Sequence, residues 1–344
     1  MTISQERIET VSRESGFREE TVKKVLYMLE FLRAFSDSPI SNKFALIGGT
    51  AINLPRPDIP RLSEDIDLDF VGDPRLGTRD DTLESIKKGH VTAIQSVASK
   101  LGWSAALNKR QSTRRDATLY VSAPAGVQVE VNLSYRYCHS VFGAVPLPLP
   151  RMPGDHFGAE FRIQSLCKEE LWASKLVASV QDKPPKALDW LREPQPRVKA
   201  RHIYDTYWLS KNLEAENLEA DTLRKCFVLF GVSRMDRFSW YRGEIIQFFD
   251  PRHVRRYVLP MVRRGESVLE LEDAAWQVRK FLDKRIYGAL LSEEYEFLEA
   301  WEHRAFTPLA LFPAAQYPGV ADRLREVRYY DEIRGKLVGD SKRK

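Results

Sequence analysis

Residues 65–71 read Asp-Ile-Asp-Leu-Asp-Phe-Val, with an acid at every second position and an apolar residue between. Side chains alternate across an extended chain, so this pattern predicts a β-strand with one acidic face. Asp65 and Asp67 then point the same way, roughly 7 Å apart along the backbone. Alone, the alternation says little about function, because such a run is most often the charged, solvated face of a strand.

Its neighbours give it meaning. Phe44-Ala45-Leu46-Ile47 is a short apolar run ending in Gly48-Gly49, and Thr50 to Leu54 reads as the start of a helix. The expected arrangement is a strand, a glycine turn and a helix N-terminus. Glycines let the backbone pass close to a phosphate, and the amides opening a helix point towards an anion. Further on, Thr118 to Ser122 and Val127 to Leu133, joined by Ala-Pro-Ala-Gly, predict a β-hairpin. Glu130 lies in its second strand and shares a face with Gln128 and Asn132. If that strand pairs beside residues 65–71, Glu130 completes a set of three carboxylates. Phosphoryl and nucleotidyl transfer need two or three carboxylates converging on divalent metals. Each part is common, but the whole order is hard to obtain by accident.

The rest of the chain supports a globular protein. It has 344 residues, 43% hydrophobic and 29% charged, enough for one large or two ordinary domains. Its apolar stretches are too short to cross a bilayer, and MTISQERIETVSRESG has no basic segment followed by an apolar core, so a cytoplasmic location with no membrane partner is expected. Cys138, Cys167 and Cys226 are far apart and expected to be reduced thiols. The six histidines show no zinc-hydrolase spacing. A net charge of +5 is compatible with a polyanionic partner. Residues 18–36 place Val22, Val25, Leu26, Leu29, Leu32 and Phe35 at helical spacing, and 82–101 are also helix-like. From about Leu166 the segments are mostly helical, interrupted by Pro-rich pieces. The expected fold class is α+β, with a domain over residues 1–150 and a mainly helical one over 151–344.

The string GGTAINL…RLSEDIDL resembles the AbiEii-type nucleotidyltransferase toxins of prokaryotic toxin–antitoxin and phage-defence systems, within the DNA polymerase β-like superfamily. The matching positions are Gly48, Gly49, Thr50, Ala51, Arg61, Ser63, Asp65 and Asp67. VQVEVNLSYR continues the match, with Glu130 as third carboxylate, and KEELWASKLVAS and ARHIYDTYWLSK add Lys175, Arg201, Tyr204 and Asp205. Two departures stand out. His202 takes the place of an aspartate common in the family, and Asp69 adds a third acid to the face of Asp65 and Asp67.

The resemblance implies a polymerase β-like domain, a mixed sheet with flanking helices, followed by an α-helical domain that contributes Lys175 and Asp205 to the site. It implies Mg²⁺ (or Mn²⁺) on Asp65, Asp67 and Glu130. Gly48, Gly49, Thr50, Arg61, Ser63 and Lys175 would hold an NTP substrate, and Asp205 would orient Lys175 or the nucleotide. For Arg61 the blander role is neutralising the acidic strand; for Ser63, a packing hydroxyl; for Lys175, a solvated helix face; for Asp205, an ion pair with Arg201 one turn away. The implied activity moves a nucleoside monophosphate to an acceptor hydroxyl, with the 3′ end of tRNA as leading acceptor, and a cognate antitoxin as partner. Transfer to a protein or an aminoglycoside-like small molecule is the alternative, and an inactive nucleotide-binding protein the third reading. Two basic clusters offer phosphate contacts: Lys109, Arg110, Arg114 and Arg115, and Arg252, Arg255, Arg256, Arg263 and Arg264.

Overall fold

The computed structural model describes residues 3–56, 61–72, 80–113, 115–135, 140–150, 157–180, 200–234, 258–265, 271–302 and 310–325. The chain divides into two compact units, one built from Met1–Cys167, Met261–Glu266 and Asp322–Gly335, the other from Lys168–Pro260, Ser267–Ala321 and Lys336–Lys344. The sequence expectations at Cys138, Arg114, Arg252, Arg255 and Arg256 lie outside the described residues.

The first unit opens with α1 (Gln5–Ser15) and α2 (Glu19–Ser36). It then forms β1 (Phe44–Ile47), α3 (Gly48–Asn53), β2 (Asp65–Phe70) and α4 (Asp80–Lys100). Five strands follow: β3 (Ser104–Leu107), β4 (Asp116–Ser122), β5 (Gln128–Ser134), β6 (Val145–Leu149) and β7 (Phe161–Ser165). They make one seven-stranded sheet in the order β3-β4-β5-β2-β1-β7-β6. The sheet is mixed: β2 pairs with β5, and β1 with β7, in parallel, while the other pairs run antiparallel.

The expected strand at residues 65–71 forms, and its two faces have opposite fates. Ile66, Leu68 and Phe70 are buried in the apolar core, whereas Asp65 and Asp67 are only half-buried on the other side. All six expected apolar positions of α2 are buried, and so are Tyr27, Met28 and Phe31. The helix is therefore covered around most of its circumference, packing against α1, α4, β5 and β7. Residues 145–149, whose prolines suggest an interruption, instead form β6. Pro146 and Pro148 are tolerated there because an edge strand needs to donate to only one neighbour. With β7 beyond it, the sheet extends past residue 150.

The second unit is helical: α5 (Lys168–Val180), α6 (Ala200–Glu216), α7 (Ala220–Arg234), α8 (Leu271–Arg285) and α9 (Ser292–Glu302). α5 packs on α6 and α7, α6 on α8, and α7 on α9. A buried Arg224 joins the last pair, its Nε donating to both carboxylate oxygens of Glu294 at 2.9 and 2.8 Å. A short helix, α10 (Val320–Arg325), lies near the end of the described chain. Among the described residues, no helix is long and apolar enough to cross a membrane.

Candidate active site

Strand register assembles the acidic face. β5 lies parallel to β2 with Asp65 opposite Glu130 and Asp67 opposite Asn132. β4 extends the same rows, with Tyr120 opposite Glu130 and Thr118 opposite Asn132. Residues directly opposite on paired strands are close neighbours, with Cβ atoms about 5 Å apart. Two rows therefore cross the sheet side by side: Tyr120-Glu130-Asp65 and Thr118-Asn132-Asp67. Asp65, Asp67 and Glu130 come together on one face and are half-buried. Asp69, the extra acid, is 1% exposed, so the strand sinks into the protein beyond Asp67.

Asn132 occupies the centre of this face. Its Nδ2 donates to Asp67 Oδ1 at 3.1 Å and to Glu130 Oε1 at 3.0 Å. Its Oδ1 accepts from Thr118 Oγ1 at 2.8 Å. Strand alternation puts Asn132 on the face of Glu130 without assigning it a role, and Thr118 carries no sequence signal beyond lying in a strand.

The glycine turn abuts the acids. Ile47, the last residue of β1, lies opposite Asp67, and Gly48 follows with φ +72°. A Cβ at Gly48 would collide with the Asp67 carboxylate, so both conformation and space require glycine. A Cβ at Gly49 would come within 2.6 Å of Ser63 Oγ and 3.3 Å of an Arg61 Nη atom. Thr50 is buried and its hydroxyl donates to the Asp65 carbonyl. Ser63 is 6% exposed and packs against the turn.

Arg61 is 1% exposed. Its guanidinium donates to Asn53 Oδ1 at 3.0 Å and to the Leu62 carbonyl at 2.9 Å. A distant piece of the same unit closes over it. Arg61 bridges to Val262 in antiparallel fashion, and the Leu62 amide donates to the Met261 carbonyl at 3.0 Å. Arg61 thus ties the end of α3, the approach to β2 and residues 261–262 together. No sequence pattern signals that last contact, which spans some 200 residues.

In the helical unit, Lys175 Nζ stands 2.7 Å from Asp205 Oδ2, with the two side chains 4% and 0% exposed. His202 Nδ1 lies 3.4 Å from the same ammonium. Lys175 is therefore no solvated helix-face lysine. Trp172, one turn earlier on α5, stacks on Trp208 of α6 with ring centroids 6.1 Å apart. Its Nε1 donates to Glu216 Oε2 at 2.9 Å, so the two helices are fixed beside the ion pair.

Among the described residues, no group of three or more His, Cys, Asp or Glu side chains is placed to hold a metal ion as it stands. The acidic face is a set of carboxylate oxygens beside a glycine turn.

A mixed sheet that sets such a carboxylate face beside a double-glycine turn and helix defines a nucleotidyltransferase. Residues 30–303 match the family described as "Nucleotidyl transferase AbiEii toxin, Type IV TA system", and the chain belongs to that family. Among solved structures, it is similar to MenT4, a nucleotidyltransferase toxin from Mycobacterium tuberculosis H37Rv. The identity is 14%, the TM-score is 0.56, and the match covers 95% of this chain and 99% of that one. At that identity the likeness speaks for the fold. No curated protein matches the sequence.

Proposed function

We propose that this toxin moves a nucleoside monophosphate from an NTP to the 3′-terminal hydroxyl of tRNA, blocking translation. The acceptor hydroxyl gives up its proton to solvent as its oxygen bonds to the α-phosphorus, the bond from that phosphorus to the bridging oxygen breaks, and pyrophosphate leaves. The observation that supports the nucleotidyl-transfer part of this reading is the register that sets Glu130 opposite Asp65, beside Asp67 and the Gly48 turn; the tRNA acceptor rests on the family resemblance.

Asp65, Asp67 and Glu130 suit Mg²⁺ or Mn²⁺, because hard divalent cations select carboxylate oxygens. The pocketing of the Asp67 carboxylate against Gly48, where any Cβ would intrude, fits a carboxylate held for ligation. Such a cation, when bound, activates the attacking hydroxyl and stabilises charge on the leaving pyrophosphate. Gly48 and Gly49 let the backbone approach the triphosphate. Thr50 ties α3 to β2 through the Asp65 carbonyl. The burial of Arg61 and its bonds to Asn53 and Leu62 favour a positioning role over direct phosphate contact. Ser63, packed against Gly49, supports the same turn. Lys175, oriented by Asp205, is the cation assigned to the triphosphate by its match to the family's lysine motif. An antitoxin partner follows from the family's toxin–antitoxin setting.

Incubation with each labelled NTP, Mg²⁺ and total RNA, lysate protein or small-molecule acceptors in separate reactions tests the proposal. Label on the 3′ end of tRNA is expected. Label confined to a protein or an aminoglycoside-like molecule would replace the acceptor while leaving the nucleotidyl transfer intact.

A further inference from the structure

We infer that Asn132, locked by Thr118, is a positioning residue that fixes how Asp67 and Glu130 are presented to a divalent cation. This inference rests on the proposed metal site, and it concerns residues that would not themselves hold the metal.

Asp67 and Glu130 are like charges on adjacent strands, one row apart on the same face. Like charges this close repel, and a donor placed between them offsets that repulsion. The Asn132 amide carries two N–H groups and gives one to each acid, at 3.1 and 3.0 Å. A neutral donor between two acceptors offsets the repulsion without adding a charge that would compete with a cation. Only one orientation of the amide does this. Flipped, its oxygen would face both carboxylates and its nitrogen would face a hydroxyl.

Thr118 selects the orientation. Its hydroxyl donates to Asn132 Oδ1 at 2.8 Å, and Thr118 is itself 6% exposed. Its backbone is held at both polar atoms: the amide donates to Ser112 Oγ at 3.1 Å, and the carbonyl accepts from the Asn108 amide at 2.8 Å. Ser112 Oγ in turn donates to the Asn108 carbonyl at 2.7 Å. A turn at residues 108–113 thus fixes Thr118, Thr118 fixes the amide, and the amide fixes one oxygen of each carboxylate. Strand stability alone would be served as well by any β-favouring side chain at position 132. Groups that orient metal-binding side chains typically contribute about 10- to 100-fold to metal affinity.

The test uses the full chain with Asn132→Ala, the near-isosteric Thr118→Val, and the double variant. Mn²⁺ affinity is read without NTP from the EPR signal of free Mn²⁺, beside the Mg²⁺ midpoint of single-turnover transfer. Asn132→Ala should weaken Mn²⁺ binding roughly tenfold and raise the Mg²⁺ midpoint in parallel, with the KM for NTP at saturating Mg²⁺ unchanged. Thr118→Val should give a smaller loss, and the double variant should be no worse than Asn132→Ala, since Thr118 acts through the amide. Unchanged Mn²⁺ affinity in Asn132→Ala, where Asp67→Asn abolishes binding, overturns the inference and leaves the metal site standing. Equal Mn²⁺ binding by wild type and Asp67→Asn would remove the metal site and the inference with it. If Asn132→Ala loses its circular-dichroism signature, Thr118→Val decides alone: wild-type Mn²⁺ affinity there overturns the lock.

Discussion

The acidic face on the sheet and the Lys175–Asp205 pair in the helical unit hold their charges in opposite ways. Asp65, Asp67 and Glu130 are half-buried, carry one sign, and owe their proximity to strand register and a neutral amide. Lys175 and Asp205 are 4% and 0% exposed, carry opposite signs, and meet at 2.7 Å. Like charges gathered on one face repel each other, which opposes the fold. A buried opposite pair is complete within the fold, because each partner compensates the desolvation of the other. Under the proposed function, the first arrangement serves binding, and in the second binding and stability share the same atoms.

The largest expected effect breaks the comparison on the acidic side. Asp65→Asn or Asp67→Asn should lower single-turnover transfer by roughly three orders of magnitude, the several kcal/mol that a metal contributes to charge stabilisation. The melting temperature should stay near that of wild type, since asparagine keeps the size and shape of aspartate. Near-wild-type Mg²⁺-dependent transfer in either variant would sink the metal assignment.

The helical unit should behave in reverse. Lys175→Met or Asp205→Asn each strands a buried partner, at a cost of about 3–5 kcal/mol. That is on the order of 10 °C in melting temperature for a unit of this size. Replacing both together, Lys175→Met with Asp205→Leu, should cost less than the sum. Strictly additive melting shifts would mean that the two charges do not depend on each other.

The other side of the sheet sharpens the comparison along pH. His90 is 5% exposed and packs edge-on to Phe44 at 5.0 Å and stacked on Tyr135 at 5.9 Å. Burial first, and then the charge of Lys43, push its pKa down to about 4 from the ordinary 6.5. Between those values the unfolded chain binds a proton that the folded chain refuses. Stability from this site is therefore full above pH 6.5 and is lost as pH falls towards 4. At pH 5 the loss is on the order of 1–2 kcal/mol. Chemical denaturation from pH 7 to 4.5 should show that slope in wild type and a flatter one in His90→Phe. Equal slopes would place the acid sensitivity elsewhere.

The acidic face is legible in the sequence and its supports are not, for a physical reason. Strand periodicity writes Asp65, Asp67 and Glu130 into short alternating runs, and the Ala-Pro-Ala-Gly turn signals the hairpin. Whether β5 runs beside β2 depends on a parallel pairing that no local pattern encodes; the expectation is conditional, and the register meets the condition. Asn132 has the right alternation, but its bonds are set by cross-strand rows. β3 is four residues of small and apolar types with no polar–apolar alternation, β7 alternates over only five residues, and the prolines of β6 disguise an edge. The closure of Arg61 by Met261 and Val262 joins residues too remote in sequence to leave any periodic trace.

The smallest effect concerns the basic residues, and it rests on the proposed RNA acceptor. Lys109, Arg110 and Arg115 form one cluster along the sequence, but their surroundings differ. Lys109 and Arg110 are exposed in the turn between β3 and β4. Arg115 is half-buried and donates to the Tyr135 carbonyl at 3.3 Å. Arg263 is likewise engaged, lying 5.3 Å above the Phe17 ring, while Arg264 is exposed. A side chain that neutralises a phosphate releases a condensed counterion, so removing one such charge should flatten the log–log salt dependence of RNA affinity by about 0.7–0.9. Lys109→Gln with Arg110→Gln should therefore lower the slope by between one and two, with the NTP requirement unaltered. Arg115→Gln should leave the slope near wild type, because its guanidinium already serves the fold. A measured slope that drops for Arg115→Gln and stays put for the Lys109/Arg110 pair would reverse this division and move the RNA path away from the turn.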